Sequence, residues 1–511
     1  MSARVLLVVI DAATPRVVCP AIRTGLFPTL QRLAEAGTMH EQSVTIFPSI
    51  TPAATTSIIT GCYPFEHGIA GASWFDAARD EVAYYGDDFW VIAREGFGEF
   101  IRDFLLRLNG DRLTAPTLFE LVERTGRTAA CLNYLVYKGL SAHQVAIPPG
   151  LAALPGVPFT ATVEGPSVLS LGDFVGPRTP HGHKLDEKGG IFHRFGMDDE
   201  STGAMLRDLF AEGSQSDLTV AYFADNDYRS HEIGPYRALP VIGRIDDLLA
   251  EAFDAAGGMD RVLENTYVIV TSDHGHCEIS ANATRSVIQL DELLGEFSQA
   301  TLGSAWQRGD QIMICPNMRA AQIYMHQPEP RTAAQIVAAA LRDPRIDLAI
   351  RRASATEPAA SGYIVTAQKG EVWFARGEQG GRGSYAKDAF GAAWTWSGDS
   401  IALDFEVSAG RIEYGDFPNA FERIAGVLDL DQAGDIWVTA KPGCEFRVPG
   451  GDAHVGGASH GGLHALDSLS PVIVAGPAPV FLPRHLRSVD LAPLVTWLLG
   501  MEMRYSVGEP R

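Results

Sequence analysis

Residues 4–10, RVLLVVI, form an unbroken run of Leu and β-branched side chains that closes on Asp11. A strand with one face in water alternates apolar and polar residues, so a continuous apolar strand belongs in a parallel sheet covered on both faces. The pattern returns at residues 218–223, 267–271 and 471–475, ending near Asp225 and Asp227, at Ser272-Asp273-His274, and at Gly476-Pro477. Between these runs, residues 29–35, 117–124 and 239–256 carry apolar side chains at three- and four-residue spacing, as amphipathic helices do. The expected class is α/β: a doubly wound, mostly parallel sheet with helices on both faces. Ligands of such sheets bind beyond the carboxyl ends of the strands, where the Asp and His clusters fall.

Two stretches do not read as core. Residues 151–196 are rich in Pro, Gly and His and look irregular; residues 302–428 change character, with short alternating runs at 371–375 and 401–405 among Gly-rich turns. The expected organisation is therefore a first part of the core over 1–301, carrying an irregular insertion at about 151–196, an inserted cap over 302–428, and the rest of the core over 429–511. No internal repeat is visible.

Composition narrows the function. With 41 Lys and Arg against 62 Asp and Glu, the chain carries a net charge of −21 and no basic run, which disfavours a nucleic-acid polymer as partner. The six cysteines are scattered without a Cys-x-x-Cys pair, so neither a disulfide framework nor a thiolate zinc site is indicated. The N-terminus lacks a signal-peptide pattern, and no stretch approaches the ~18 apolar residues of a membrane span. The expectation is a cytoplasmic chain without membrane attachment; an oligomer is compatible with it.

Five separated segments share one chemical theme. Asp11 ends the first strand. Residues 47–69 run from a Ser/Thr-rich turn into a small-residue helix, and the free N–H groups and positive dipole end of that helix, near Thr51, suit an anion. Ser49, Thr51, Thr55 or Thr56 could equally serve as helix caps. In DNDYRSHEIGP, residues 225–235, Asp227 and His231 are four apart and meet one ion if the turn is helical. TSDHGH, residues 271–276, presents Asp273 and His274 straight after a strand, and His460 and His464 precede the last strand. Carboxylates and imidazoles without thiolates suit Zn²⁺, with Mn²⁺ or Fe as alternatives. Two such ions about 3.5–4 Å apart clamp the attacking and leaving oxygens of an in-line phosphoryl displacement, and coordination activates a Thr hydroxyl.

These residues resemble the type I phosphodiesterase/nucleotide pyrophosphatase family of the alkaline phosphatase superfamily. Asp11 falls on the family's first metal-binding Asp. The nucleophile segment is matched by Pro48-Ser49-Ile50-Thr51, Thr60-Gly61, Tyr63-Pro64 and His67-Gly68-Ile69. The family's Asp-x-x-x-His-x-x-Gly-Pro falls on Asp227, His231, Gly234 and Pro235, selecting Asp227 over Asp225, and its Asp-His-Gly on Asp273, His274 and Gly275. Its last metal His lies eleven residues before a strand-opening Pro; His460 lies eleven before Pro471, which favours it over His464. By resemblance, one ion is held by Asp227, His231 and His460, and the other by Asp11, Thr51, Asp273 and His274, with Thr51 the nucleophile.

Two positions depart from the nucleotide-cleaving members. Ala72 stands where an Asn contacts the phosphoryl oxygens, and Pro52 where an aromatic side chain stacks on a base. Cys62-Tyr63-Pro64-Phe65-Glu66 lacks the Arg of the sulfatase signature. The motifs offer only His67 as a nearby basic group, with Arg79 or Arg94 able to reach in from outside them. The expectation is a two-metal phosphohydrolase that passes through a phosphothreonine on Thr51, with a phosphodiester as first substrate. The alternatives are a phosphomonoesterase, a phosphonate (C–P) hydrolase, a phosphomutase, or a metal-stabilised binding protein without turnover. The implied partner is a small phosphorylated or phosphonate molecule.

Overall fold

The computed structural model describes residues 3–85, 97–148, 151, 161–179, 182–185, 189–354, 361–377, 383–447, 453–503 and 507–508. Arg4–Ile10 is the strand its sequence promises, with every side chain from Val5 to Ile10 buried. It lies between Leu218–Phe223 and Thr266–Thr271 and runs parallel to both. Ala129–Leu132 and Val168–Ser170 extend the sheet beyond Leu218–Phe223, still parallel. On the other side Leu469–Ala475 pairs antiparallel with Thr266–Thr271, followed by Thr38–Val44 and the short Leu486–Arg487. Of the eight strands in this sheet, only Leu469–Ala475 is reversed.

Successive side chains of the first strand enter different cores. Val5, Leu7 and Val9 pack with Ile58, Ile59, Leu494 and Val495 of the helices Thr51–Thr60 and Leu491–Leu498. Leu6, Val8 and Ile10 face Val18, Ile22, Leu33, Ile242 and Leu249, from helices on the opposite face. Full burial of each such side chain is worth about 1.5–3 kcal/mol, which explains why this strand can be apolar throughout. The fold is the expected mixed α/β arrangement with helices on both faces.

A second, ten-stranded sheet takes nine strands from residues 302–428 and one, Ile436–Ala440, from beyond them. Ile436–Ala440 sits inside it, between Ala320–Met325 and Ile346–Arg352. The helices Ala420–Leu428 and Pro330–Ala340 contribute to two separate apolar cores against this sheet.

Three readings change. The stretch 151–196 is not wholly outside the core, since Val168–Ser170 forms an edge strand of the central sheet with all three residues buried. Residues 401–405 are not a strand: Ser400–Leu403 forms a 3₁₀ turn, Asp404 adopts a left-handed conformation at φ 44°, and the strand starts only at Phe405. Ala402 and Leu403 are consecutive and both buried, which a half-buried strand does not allow. The last apolar run starts two residues early, at Leu469. All six cysteines are free. Among the described residues, no helix is long and apolar enough to cross a membrane.

Candidate metal centre and nucleophile

The carboxyl end of the first strand carries Asp11, whose N–H donates to the Phe223 carbonyl at 2.9 Å. Asn226 Nδ2 donates to the Asp11 carbonyl at 2.8 Å, and the Tyr222 hydroxyl donates to Asp11 Oδ2. Thr51 is the first residue of the helix Thr51–Thr60, entered through extended Ile50. The helix Asp225–Ile233 sets Asp227 and His231 one turn apart and stops at Gly234, φ 83°. The chain returns beside that turn at Gly457, where a Cβ would lie only 1.8 Å from the His231 carbonyl oxygen.

After Thr266–Thr271 the backbone turns sharply. Ser272 Oγ donates to the His274 carbonyl at 2.8 Å, and Asp273 Oδ1 accepts the N–H groups of Ala12 and His274 at 3.3 and 3.0 Å. The reversed strand brings its preceding loop to the same end of the sheet, and with it His460, whose Nδ1 lies 2.8 Å from the Ser49 carbonyl.

The side chains converge in two groups. His274 Nε2 lies 3.1 Å from Thr51 Oγ1, 3.5 Å from Asp11 Oδ1 and 3.5 Å from Asp273 Oδ2. Asp227 faces three imidazoles: Oδ2 is 3.4 Å from His231 Nε2, while Oδ1 is 3.0 Å from His276 Nε2 and 3.7 Å from His460 Nε2. All seven residues expected at the site are thus brought together. His276 joins them, although the sequence reading had not selected it. Its signal was present in TSDHGH, one residue past the end of the matched Asp-His-Gly.

The other candidates lie elsewhere. Asp225 accepts the Asp199 N–H and pairs with Arg194, and His464 caps the short helix Ala465–Ser468 through Nδ1. His67 is no phosphate ligand: it is fully buried, its Nδ1 accepts the Ile69 N–H at 3.1 Å, and its Nε2 lies 3.0 Å from Ser57 Oγ. Burial pushes it down to about 3. Arg79 is engaged by Asp76 and Asp111, and Arg94 lies outside the described residues.

The electrostatics suit a cation. Burial, and after it repulsion from Asp273 and Asp227, raises Asp11 well above the ordinary carboxylate range, and burial raises Asp273. Burial opposes ionisation of Asp227 as well, but His231 and His276 hold it well below its ordinary value. Burial keeps His276, near 3, and His460 neutral, the form whose ring nitrogen can ligate. Among the described residues no Lys or Arg pairs with Asp11, Asp227 or Asp273. Asp11 Oδ1, Asp227 Oδ1, Asp273 Oδ2, His460 Nε2 and both His276 nitrogens are buried without a hydrogen-bond partner. Leaving such groups unpaired costs about 1–3 kcal/mol each, and more if charged, so their clustering fits divalent ions. Two groups can hold one: Asp227, His231, His276 and His460; and Asp11, Asp227 and His274.

The sequence profile of the type I phosphodiesterase / nucleotide pyrophosphatase family matches residues 5–463. The chain belongs to that family. Its members depend on divalent metal ions, which agrees with the donor groups here. Phosphonoacetate hydrolase from Sinorhizobium meliloti 1021, solved with phosphonoformate, is 19% identical, with a TM-score of 0.57 over 97% of this chain and 96% of that one. Murine ectonucleotide pyrophosphatase/phosphodiesterase 5 is 14% identical, with a TM-score of 0.56 over 98% and 96%. An inactive threonine-to-alanine form of the murine protein, in complex with AMP, aligns at 0.56 over 99% and 96%. No curated protein gives a sequence match. The fold is alkaline-phosphatase-like, and the chain is a phosphoric ester hydrolase.

Proposed function

We propose that the chain is a two-metal phosphodiesterase whose nucleophile is Thr51. The observation that carries this reading is the convergence of Thr51 Oγ1, Asp11 and Asp273 on His274 Nε2 beside the Asp227 cluster. One ion would be held by Asp227, His231 and His460, the other by Asp11, Thr51, Asp273 and His274. Zinc suits these N and O donors, with Mn²⁺ or Fe as the other choices. Bound there, the ions supply Lewis-acid stabilisation of the phosphoryl oxygens and lower the pKa of the Thr51 hydroxyl.

Thr51 Oγ1 gives its proton to water and bonds to phosphorus as the bond to the leaving oxygen breaks in line, that oxygen departing with the bonding pair and taking a proton from water. Water then cleaves the phosphothreonine and restores the hydroxyl. Thr51 sits at the positive end of its helix, which favours the anionic phosphoryl group, although Pro52 removes one donor from the first turn. The Thr51→Ala variant is expected to lose turnover while keeping its fold, and Thr51→Ser to retain part of the turnover. Full activity in Thr51→Ala would overturn the nucleophile assignment. The inactive threonine-to-alanine form of murine ENPP5 is in keeping with this role.

A diester is favoured over a monoester because, among the described residues, the site offers few cations beyond the metals. His276 and His460 are neutral, and Ala72 contributes only backbone. The amide beside Ala72, Asn317, uses Oδ1 on the Ala72 and Ser73 N–H groups, at 2.7 and 3.2 Å, and Nδ2 on the Ser73 carbonyl at 2.9 Å. Where a donor to a developing charge is missing, the loss is about 2.7–4 kcal/mol. A doubly charged monoester suffers more from such a shortage than a singly charged diester. Measured kcat/KM is expected to be higher for a bis-aryl phosphate than for the aryl monophosphate or phosphonoacetate. A clear preference for either of the latter would overturn the diesterase reading and leave the metal reading standing.

A further inference from the structure

Three of the four clustered imidazoles are set up alike. His231 Nδ1 lies 2.8 Å from the Ala458 carbonyl, His460 Nδ1 2.8 Å from that of Ser49, and His274 Nδ1 3.2 Å from that of Gly275. Each carbonyl orients its ring so that Nε2 faces the carboxylates, the arrangement that fixes the tautomer of a ligating histidine. His276 is held differently. Its backbone N–H donates to Thr14 Oγ1 at 2.9 Å and its carbonyl accepts from Arg16 at 2.9 Å, while its ring is fully buried with neither nitrogen hydrogen-bonded. Its Nε2 lies 3.0 Å from Asp227 Oδ1, an atom that also has no hydrogen-bond partner.

A buried histidine that only fills space satisfies its nitrogens, because an unpaired one costs about 1–3 kcal/mol. His276 leaves two unpaired, in contact range of a carboxylate and with its ring centroid 4.7 Å from that of His231 and 5.2 Å from that of His460. One ligand atom from each of Asp227, His231, His276 and His460 falls within 4.8 Å of all the others. We propose that His276 is a fourth protein ligand of the ion at Asp227. This rests on the two-metal reading above and extends it. Four protein donors fill the tetrahedral shell that zinc prefers, whereas catalytic zinc sites keep a position open. A phosphoryl oxygen reaching this ion makes a fifth donor, so the centre favours an ion at ease with five or six, such as Mn²⁺ or Fe²⁺. The companion centre around His274 receives no extra ligand from His276.

Metal-free protein loaded with Co²⁺ tests the assignment without recourse to activity. In the unaltered chain, the ring N–H protons of cobalt-ligating histidines appear as separate hyperfine-shifted, exchangeable NMR signals. Four are expected, from His231, His274, His276 and His460, and three would overturn the proposal. In a chelator competition, His276→Ala is expected to release one of the two Co²⁺ ions at least about tenfold more readily and to alter the visible band of that ion alone. His464→Ala is expected to match the parent. Parent-like affinity and spectrum in His276→Ala would overturn the fourth-ligand assignment while sparing the two-metal reading, whereas a parent chain that takes up no Co²⁺ would overturn both.

Discussion

His67 shows how a single buried side chain ties pH to stability next to the nucleophile helix. Its Nδ1 accepts the Ile69 N–H, so protonation at that nitrogen breaks the bond, and burial pushes the group down to about 3. In the unfolded chain the same imidazole titrates near 6.5, so over that interval the unfolded state binds the proton first. The contribution is complete above about pH 6.5 and is lost as the pH falls toward 3, at up to about 1.4 kcal/mol per unit. Urea unfolding between pH 4 and 7 is expected to give a shallower pH slope for His67→Gln than for the parent. Equal slopes would show that the group titrates normally in the folded state. At this scale the sequence was legible where spacing sets geometry: Asp227 and His231, four apart, do share one helical face. It was less so at His276, because a ligand two residues beyond His274 depends on a turn made by Ser272 and Asp273, which no periodicity announces.

Among the elements, the turn between Ile312–Asn317 and Ala320–Met325 braces two loops that reach the site. Asn317 holds the Ala72–Ser73 backbone, the Arg319 N–H donates to the His460 carbonyl at 2.9 Å, and the buried Arg319 guanidinium pairs with Asp467. Asp467 in turn accepts the Gly462 N–H through Oδ2 and the Gly275 N–H through its carbonyl, both at 2.8 Å. Replacing Arg319 with Met strands a buried carboxylate, and breaking such a pair costs about 3–5 kcal/mol. Denaturant unfolding is expected to register that loss together with weaker metal retention, since His460 and Gly275 share the brace. The double change Arg319→Met with Asp467→Leu is expected to recover part of the stability. A single variant within about 1 kcal/mol of the parent would contradict the role. None of this was visible beforehand. Periodicity marks which face of a strand is buried but not which loop its turn will touch, and residues 302–428 were read only as a covering insertion.

Across the whole molecule, the two sheets are joined by buried polar contacts. Glu422, on the helix Ala420–Leu428, receives Arg487 at 2.8 Å and the Tyr63 hydroxyl at 3.0 Å, and Arg423 donates to the Ile46 carbonyl at 3.2 Å. With Ile436–Ala440 threaded into the second sheet from outside 302–428, that sheet is not complete without the rest of the chain. Unfolding by urea is expected to follow one transition by both tryptophan fluorescence, weighted to Trp373, Trp394, Trp396 and Trp437 of the second sheet, and far-UV circular dichroism. Two separated midpoints would mean the sheets melt independently. The central sheet could be anticipated because its apolar runs are continuous; the ten-stranded one could not, because its strands are short and joined by Gly-rich turns.

The position of Arg4–Ile10 at the middle of the central sheet also matters while the protein is being made. The strand leaves the ribosome well before its two neighbours, which arrive only with residues 218–223 and 266–271, and the loop bearing His460 arrives nearly 450 residues after Asp11. At about 5–20 residues per second, that last interval is on the order of half a minute or more. Throughout the wait for its first neighbour the nascent chain exposes seven residues with five Val or Leu and two open edges, the kind of segment that recruits other strands. A strand left unpaired for that long is open to wrong partners during synthesis, and metal can lock the site only once the loop bearing His460 has been made.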